Sequence, residues 1–143
     1  MRAITRLLDR SLRAIGRYAE ARELAQDTLD RDRRILGEDH PTTLISATNL
    51  TIDLRYLGEV DTARELAQDT LERRRRILGE DHPDTLISAT QLAASLRASR
   101  QGQAARDLDQ DTLDRRRILG EDHPYTLRSA GNLAADLRAL GET

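Results

Sequence analysis

Cysteine, lysine, phenylalanine and tryptophan do not occur in this 143-residue sequence. Without cysteine there is no disulfide framework and no thiolate chemistry. Tyrosine occurs only at Tyr18, Tyr56 and Tyr125, so no aromatic series is present to stack nucleobases. β-branched and aromatic residues, which strands favour, are scarce. No apolar run approaches the ~20 residues of a membrane span. The opening stretch, MRAITRLLDRSLRAIG, sets Arg where a signal peptide needs an uninterrupted apolar region. A net charge of −2 argues against a general nucleic-acid binder. The expectation is a soluble, cytoplasmic protein with no nucleic-acid or membrane partner.

What is present is aliphatic and charged. Hydrophobic residues make up 38%, mostly Leu, Ala and Ile, and charged residues 34%. The length suffices for one domain with a sizeable core, and a core of small residues and Leu ridges suits close helix packing. All 23 basic residues are Arg, the cation that forms bidentate pairs with carboxylates.

The stretch ILGEDHP begins at Ile35 and returns at Ile77 and Ile118, steps of 42 and 41 residues. Residues 24–65 and 66–107 are identical at 27 of 42 positions. Each unit reads as two helices. From Pro41, Leu44, Ala47, Leu50, Leu54 and Leu57 recur at spacings of three and four, one apolar stripe, and Gly58 stops the helix. A second helix from about Asp61 carries Ala63, Leu66, Ala67, Thr70, Leu71, Ile77 and Leu78 on its stripe, and Gly79 ends it. The heptapeptide is then a corner. Its Gly breaks one helix, its acids precede the positive end of the next, and its Pro starts that helix. His40, His82 and His123 fall one per unit, too far apart for a shared metal ion, and are expected to pack or hydrogen-bond at their corners.

The stretch NLTIDLRYLGEVDTARELAQDTL places Asn49, Leu50, Thr51, Leu54, Gly58 and Ala63 in a pattern that resembles the tetratricopeptide repeat. The 42-residue length and the LGEDHP link resemble its long, kinesin-light-chain type, and similar repeats occur in bacterial signalling ATPases. The departures are Ala25, Ala67 and Asp109 where a large aromatic is common, and Arg100 in place of the helix-ending Gly. The resemblance implies an all-α fold of seven helices: a right-handed superhelical solenoid of antiparallel pairs at about 2–36, 41–78 and 83–119, with a terminal helix at 124–140, one repeat domain over residues 1–143. It also implies a protein-interaction module, not an enzyme, without cofactor or metal, with a place in a larger bacterial signalling protein as one context.

Carried over by the resemblance, the concave groove positions give two rows. One is Leu7, Asn49, Gln91 and Asn132. The other is Arg13, Arg55, Arg97 and Arg138, with Tyr56 beside Arg55, and with Arg6 and Arg10 joining in the first unit. Arg forks bind carboxylates, and amides pair with both the N–H and C=O of an extended peptide, so the expected ligand is a protein or an acidic peptide. The competing expectation is a spacer whose ladders are only copied along with the repeat. The runs Arg73–Arg76 and Arg115–Arg117 are matched by acids a turn earlier, as expected of a solvated face.

Several local expectations remain. Arg74 falls on the apolar stripe and should pack its stem while its head reaches water. Thr28, Thr70 and Thr112 should bond the carbonyl a turn back. Carboxylates paired with Arg give no cause for a raised pKa. Leu133, Leu137 and Leu140 on the last helix should lie partly bare and favour end-to-end homo-oligomers. Finally, RRRR has become RRR after Leu113, and one residue is about 100° of helix rotation, so residues 113–120 should depart from their copies.

Overall fold

The computed structural model describes residues 2–141, apart from the side chains of Arg2, Ala3, Arg6 and Leu119. Its helices are α1 (Arg2–Ala14), α2 (Tyr18–Leu36), α3 (Pro41–Tyr56), α4 (Val60–Leu78), α5 (Pro83–Ala98), α6 (Gly102–Arg116) and α7 (Pro124–Ala139), with a 3-10 turn at Arg117–Leu119. No strand occurs among the described residues. The chain forms two compact units, Met1–Thr70 and Leu71–Thr143, so the division falls inside α4.

In the first unit Ala25 and Leu29 of α2 meet Ala47, Leu50 and Leu54 of α3 and Ala63 and Leu66 of α4. In the second, Leu86, Ala89, Leu92 and Ala93 of α5, Ala105 and Leu113 of α6, and Leu133 of α7 are buried. Leu133 thereby departs from the expectation of a partly bare side chain. It lies on the face that α7 turns toward the preceding pair, whereas Leu140, at the helix end, is exposed. Small residues at these seams let helix backbones approach closely while Leu side chains fill the grooves.

Each corner histidine is an N-cap. The Nδ1 atoms of His40, His82 and His123 accept from the backbone N–H of Thr42, Asp84 and Tyr125 at 3.1, 3.0 and 3.2 Å. The following Pro occupies the first helical position, where a missing N–H costs nothing. The cap satisfies a donor that the helix itself leaves unpaired.

Within a pair, the turn is closed by a backbone bond that spans five residues. Glu59 N–H reaches Leu54 C=O at 2.9 Å and Gln101 N–H reaches Leu96 C=O at 2.8 Å. This closure needs a left-handed residue between them. Gly58 fills that place with φ +83°, and Arg100 fills it with φ 63°. The left-handed conformation brings Cβ toward the carbonyl oxygen and costs a side-chain-bearing residue about 1 kcal/mol.

The lost residue acts where helix phase requires. The α6 helix stops at Arg116 and continues as the 3-10 turn, whereas α2 and α4 run on to Leu36 and Leu78. Arg33 pairs with Glu38 at 3.2 Å and Arg75 with Glu80 at 3.1 Å. The equivalent Arg117 meets Glu121, one residue nearer in sequence, at 3.6 Å. The tighter 3-10 turn reaches the same corner with one residue fewer.

Two stability changes follow. Arg100→Gly should stabilise the chain by about 0.5–1 kcal/mol, read as a Tm higher by about 2–4 °C. His82→Ala should cost about 1 kcal/mol and His82→Asn much less, measured by urea denaturation.

Candidate functional site

The second helix of each pair meets the next first helix through one serine hydroxyl. Ser46 Oγ donates to Asp32 Oδ2 at 2.6 Å. Ser88 Oγ accepts from Arg74 Nη1 at 2.8 Å and Ser129 Oγ accepts from Arg116 Nη1 at 2.7 Å. The Arg74 head does not reach water as its stripe position suggests; the residue is 6% exposed. Its guanidinium also donates to the Asp84 C=O at 3.2 Å, so the seam supplies the acceptors that water would have given. Burial pushes the pKa of both Arg74 and Arg116 down. The threonines behave as expected: Thr28, Thr70 and Thr112 donate to the carbonyls of Leu24, Leu66 and Leu108 at 2.8–2.9 Å.

The sequence-derived groove residues fall into two arrangements. In the first unit Arg13 Nη2 bonds Asp9 at 2.7 Å and its Nε lies 3.2 Å from Asp53 Oδ1. The same Nη2 is 3.5 Å from Asn49 Oδ1. Arg55 is half-buried, its Cζ 5.6 Å from the Tyr56 ring centroid. Tyr56 is exposed and stacks on Tyr18 with centroids 4.9 Å apart. In the second unit Arg97 Nη1 bonds Asp109 at 2.5 Å and Asp136 at 2.9 Å. Gln91 and Asn132 are half-buried and Arg138 is exposed. Arg13 and Arg97 are therefore engaged within the protein, each between two carboxylates. Leu7 is exposed on α1, and the side chain of Arg6 lies outside the described residues.

Sequence reasoning missed those aspartates. Asp9, Asp53, Asp109 and Asp136 are each at most 3% exposed. The signal was available: Asp53 and Asp136 interrupt apolar stripes, and Asp109 stands where the copies have Ala25 and Ala67. The expectation that no carboxylate would have a raised pKa is overturned. Burial pushes the Asp53 carboxyl up to about 7, the Asp9 charge adding to the rise and Arg13 opposing it. Burial pushes Asp109 up to about 7 as well, helped by its hydrogen bond with Asp136 and opposed by Arg97. One guanidinium does not offset two carboxylates taken out of water.

At the exposed corner of the second unit, Arg115 binds Asp81 at 2.7 Å and Asp111 at 3.0 Å. Arg115 is thus part of a solvated ion-pair network, whereas Arg116 of the same run is buried at the seam, so the expectation of a solvated face fails at that residue. No group of three or more metal-ligating side chains occurs among the described residues. No described helix is long and apolar enough to cross a membrane.

These features define a helical-repeat protein whose first helices carry a repeated polar register. The tetratricopeptide repeat model matches residues 10–75, 52–117 and 87–143, and the chain belongs to the tetratricopeptide repeat family. Among solved structures it is similar to a Podosopora anserina protein described as a kinesin light chain with nearly identical repeats. The two share 28% identity over 98% of this chain and 67% of that one, with a TM-score of 0.91. A singly substituted form of that protein matches with the same identity and TM-score over 66% of its length. BtubC (BKLC) from P. vanneervenii is 21% identical, with a TM-score of 0.86 over 99% of this chain and 57% of that one, and shows the fold alone. The chain thus spans about two thirds or less of these structures. No curated protein matches it. Tetratricopeptide repeats generally mediate protein–protein interaction and are typically non-enzymatic.

The raised carboxyls give a pH prediction. A carboxyl whose folded pKa exceeds its unfolded value of 3.8 contributes stability present below that value and lost as pH rises through about 7. Asp109→Asn removes one such group and leaves Arg97 paired with Asp136. The variant should therefore gain stability relative to the parent as pH rises from about 4 to about 8, measured as urea midpoints across that range.

Proposed function

We propose that the chain binds a protein or peptide segment along the faces of its first helices. The observation that carries this reading is the recurrence, on α3, α5 and α7, of an amide and a guanidinium six residues apart: Asn49 with Arg55, Gln91 with Arg97, and Asn132 with Arg138. These side chains are half-buried or exposed, within reach of a ligand. The amides suit a peptide backbone and the guanidinium groups suit carboxylates. Arg13 and Arg97 each face two buried aspartates, and the guanidinium row as a whole supplies the positive charge for the acidic side chains of such a ligand. The aromatic ring of Tyr56 beside Arg55 adds an apolar contact. On this reading the chain is a scaffold or sensor element of a larger cytoplasmic, bacterial signalling protein.

The competing reading is an array that only spaces or self-associates end to end. It is favoured by the bare side chains of Leu127 on α7 and of Leu140 at its C-cap, 56% and 37% exposed.

An acidic peptide library separates the two. On the binding reading, Arg55→Ala and Arg138→Ala each weaken a selected peptide about tenfold, and affinity falls with salt. Arg97→Ala instead lowers stability by about 2 kcal/mol or more, because two buried carboxylates lose their counter-charge. A spacer gives no saturable binder.

A further inference from the structure

Inside the first unit, α1, α2 and α3 enclose a small cleft. It is lined by Thr5 and Asp9 of α1, Ala25 and Thr28 of α2, and Ser46 and Asn49 of α3. Its free space is about 10 Å³, room for one group the size of a water molecule. Asp9 lines the cleft while only 3% exposed. Its Oδ2 accepts from Arg13 Nη2 at 2.7 Å. Its Oδ1 is buried and accepts no N–H or hydroxyl of the described residues. A buried carboxylate oxygen in that condition is costly until a donor reaches it.

The hydroxyls of the cleft have their hydrogens engaged outside it. Thr28 Oγ1 donates to Leu24 C=O at 2.8 Å and Ser46 Oγ donates to Asp32 at 2.6 Å. A hydroxyl has one hydrogen, so each of these oxygens has only lone pairs left for a further partner. The charge has the same sense. Asp9 and the buried Asp53 share the single guanidinium of Arg13, and one cation does not offset two carboxylates taken out of water.

Copying along the repeat does not account for this acid. Four residues before the repeated Arg, α1 has Asp9, whereas α3, α5 and α7 have Thr51, Ala93 and Ala134. One turn earlier, Thr5 stands where the others have Ala47, Ala89 and Ala130. Both positions lie on the side that α1 turns toward α2 and α3.

We infer that the cleft is a binding site for a primary ammonium group, the head of a lysine side chain carried by a protein partner. An ammonium has three donors and no acceptor. Asp9 Oδ1, Thr28 Oγ1 and Ser46 Oγ supply three acceptors, and the Asp9 charge strengthens its bond. The ammonium is a compact point charge, whereas the guanidinium of arginine is a wide planar fork that the space does not admit. A protein side chain is the carrier because the family generally mediates protein–protein interaction. The site uses none of Arg55, Arg97 and Arg138, so it does not depend on the acidic-peptide reading, and either can fail alone.

Titration of the whole chain with N-acetyl-lysine methylamide, followed by proton–nitrogen NMR, tests this. Burial holds the Asp53 carboxyl up at about 7, where its proton bonds Asp9. The titration therefore runs at pH about 8, with Asp53 ionised and Asp9 open to a ligand donor. Saturable shifts should appear at the amides of Thr28, Ser46 and Asn49, with a Kd on the order of 1 mM. The arginine counterpart and the ε-acetylated form should bind about tenfold more weakly or less. Asp9→Asn keeps the shape of the side chain and should weaken binding about tenfold, with unchanged circular dichroism. Thr28→Val leaves every charge in place and should weaken it about threefold, which carries the test if Asp9→Asn loses its fold. Putrescine, a free amine, should bind no more tightly than the lysine amide. The absence of saturable shifts, as for a cleft that holds only water, would overturn the proposal. So would indifference to both substitutions, equal binding of the arginine counterpart, or tighter binding of putrescine.

Discussion

One hydroxyl per repeat holds successive helix pairs in register, and the rest of the structure depends on it. A helix pair of this kind cannot bury its own apolar stripe. It must stack on the next, so the contact between a second helix and the following first helix carries the fold. At that contact sits a buried serine, Ser46, Ser88 or Ser129. Serine is suited to the place because its hydroxyl both donates and accepts. It donates when the facing residue is Asp32 and accepts when it is Arg74 or Arg116. A charge reversal on the second helix is therefore absorbed without loss of the bond. Leaving either charged group unpaired there would be costly, because neither is exposed to water.

The same accounting explains the candidate binding face. Arg13 and Arg97 occupy the register of Arg55 and Arg138 but hold two buried carboxylates each. They serve the stacking of the helices before they serve a ligand. Asp53 and Asp136, each on the next first helix, supply one carboxylate to Arg13 and to Arg97. The excess of buried carboxylate over guanidinium also makes the two clusters proton-binding, through the desolvation that raises Asp53 and Asp109.

Much of this was determined by the sequence alone. The period of 42, the 3–4 spacing of Leu and Ala, and the Gly and Pro of the corners set the number of helices and their ends, because helix phase and backbone geometry are local properties. The missing residue after Leu113 forecast a local departure at residues 113–120 for the same reason. Tertiary structure decided the rest. It kept the Arg74 head inside, because Ser88 and the Asp84 carbonyl lie across the seam. It covered Leu133, because burial depends on which helix packs against the stripe and not on the stripe itself. It made His40, His82 and His123 caps through a rotamer that the spacing of HP cannot specify. It also gathered Asp9 with Asp53, and Asp109 with Asp136, around single guanidinium groups. Those carboxylates lie up to 44 residues apart in the chain, and only packing brings such charges out of water and into one another's field.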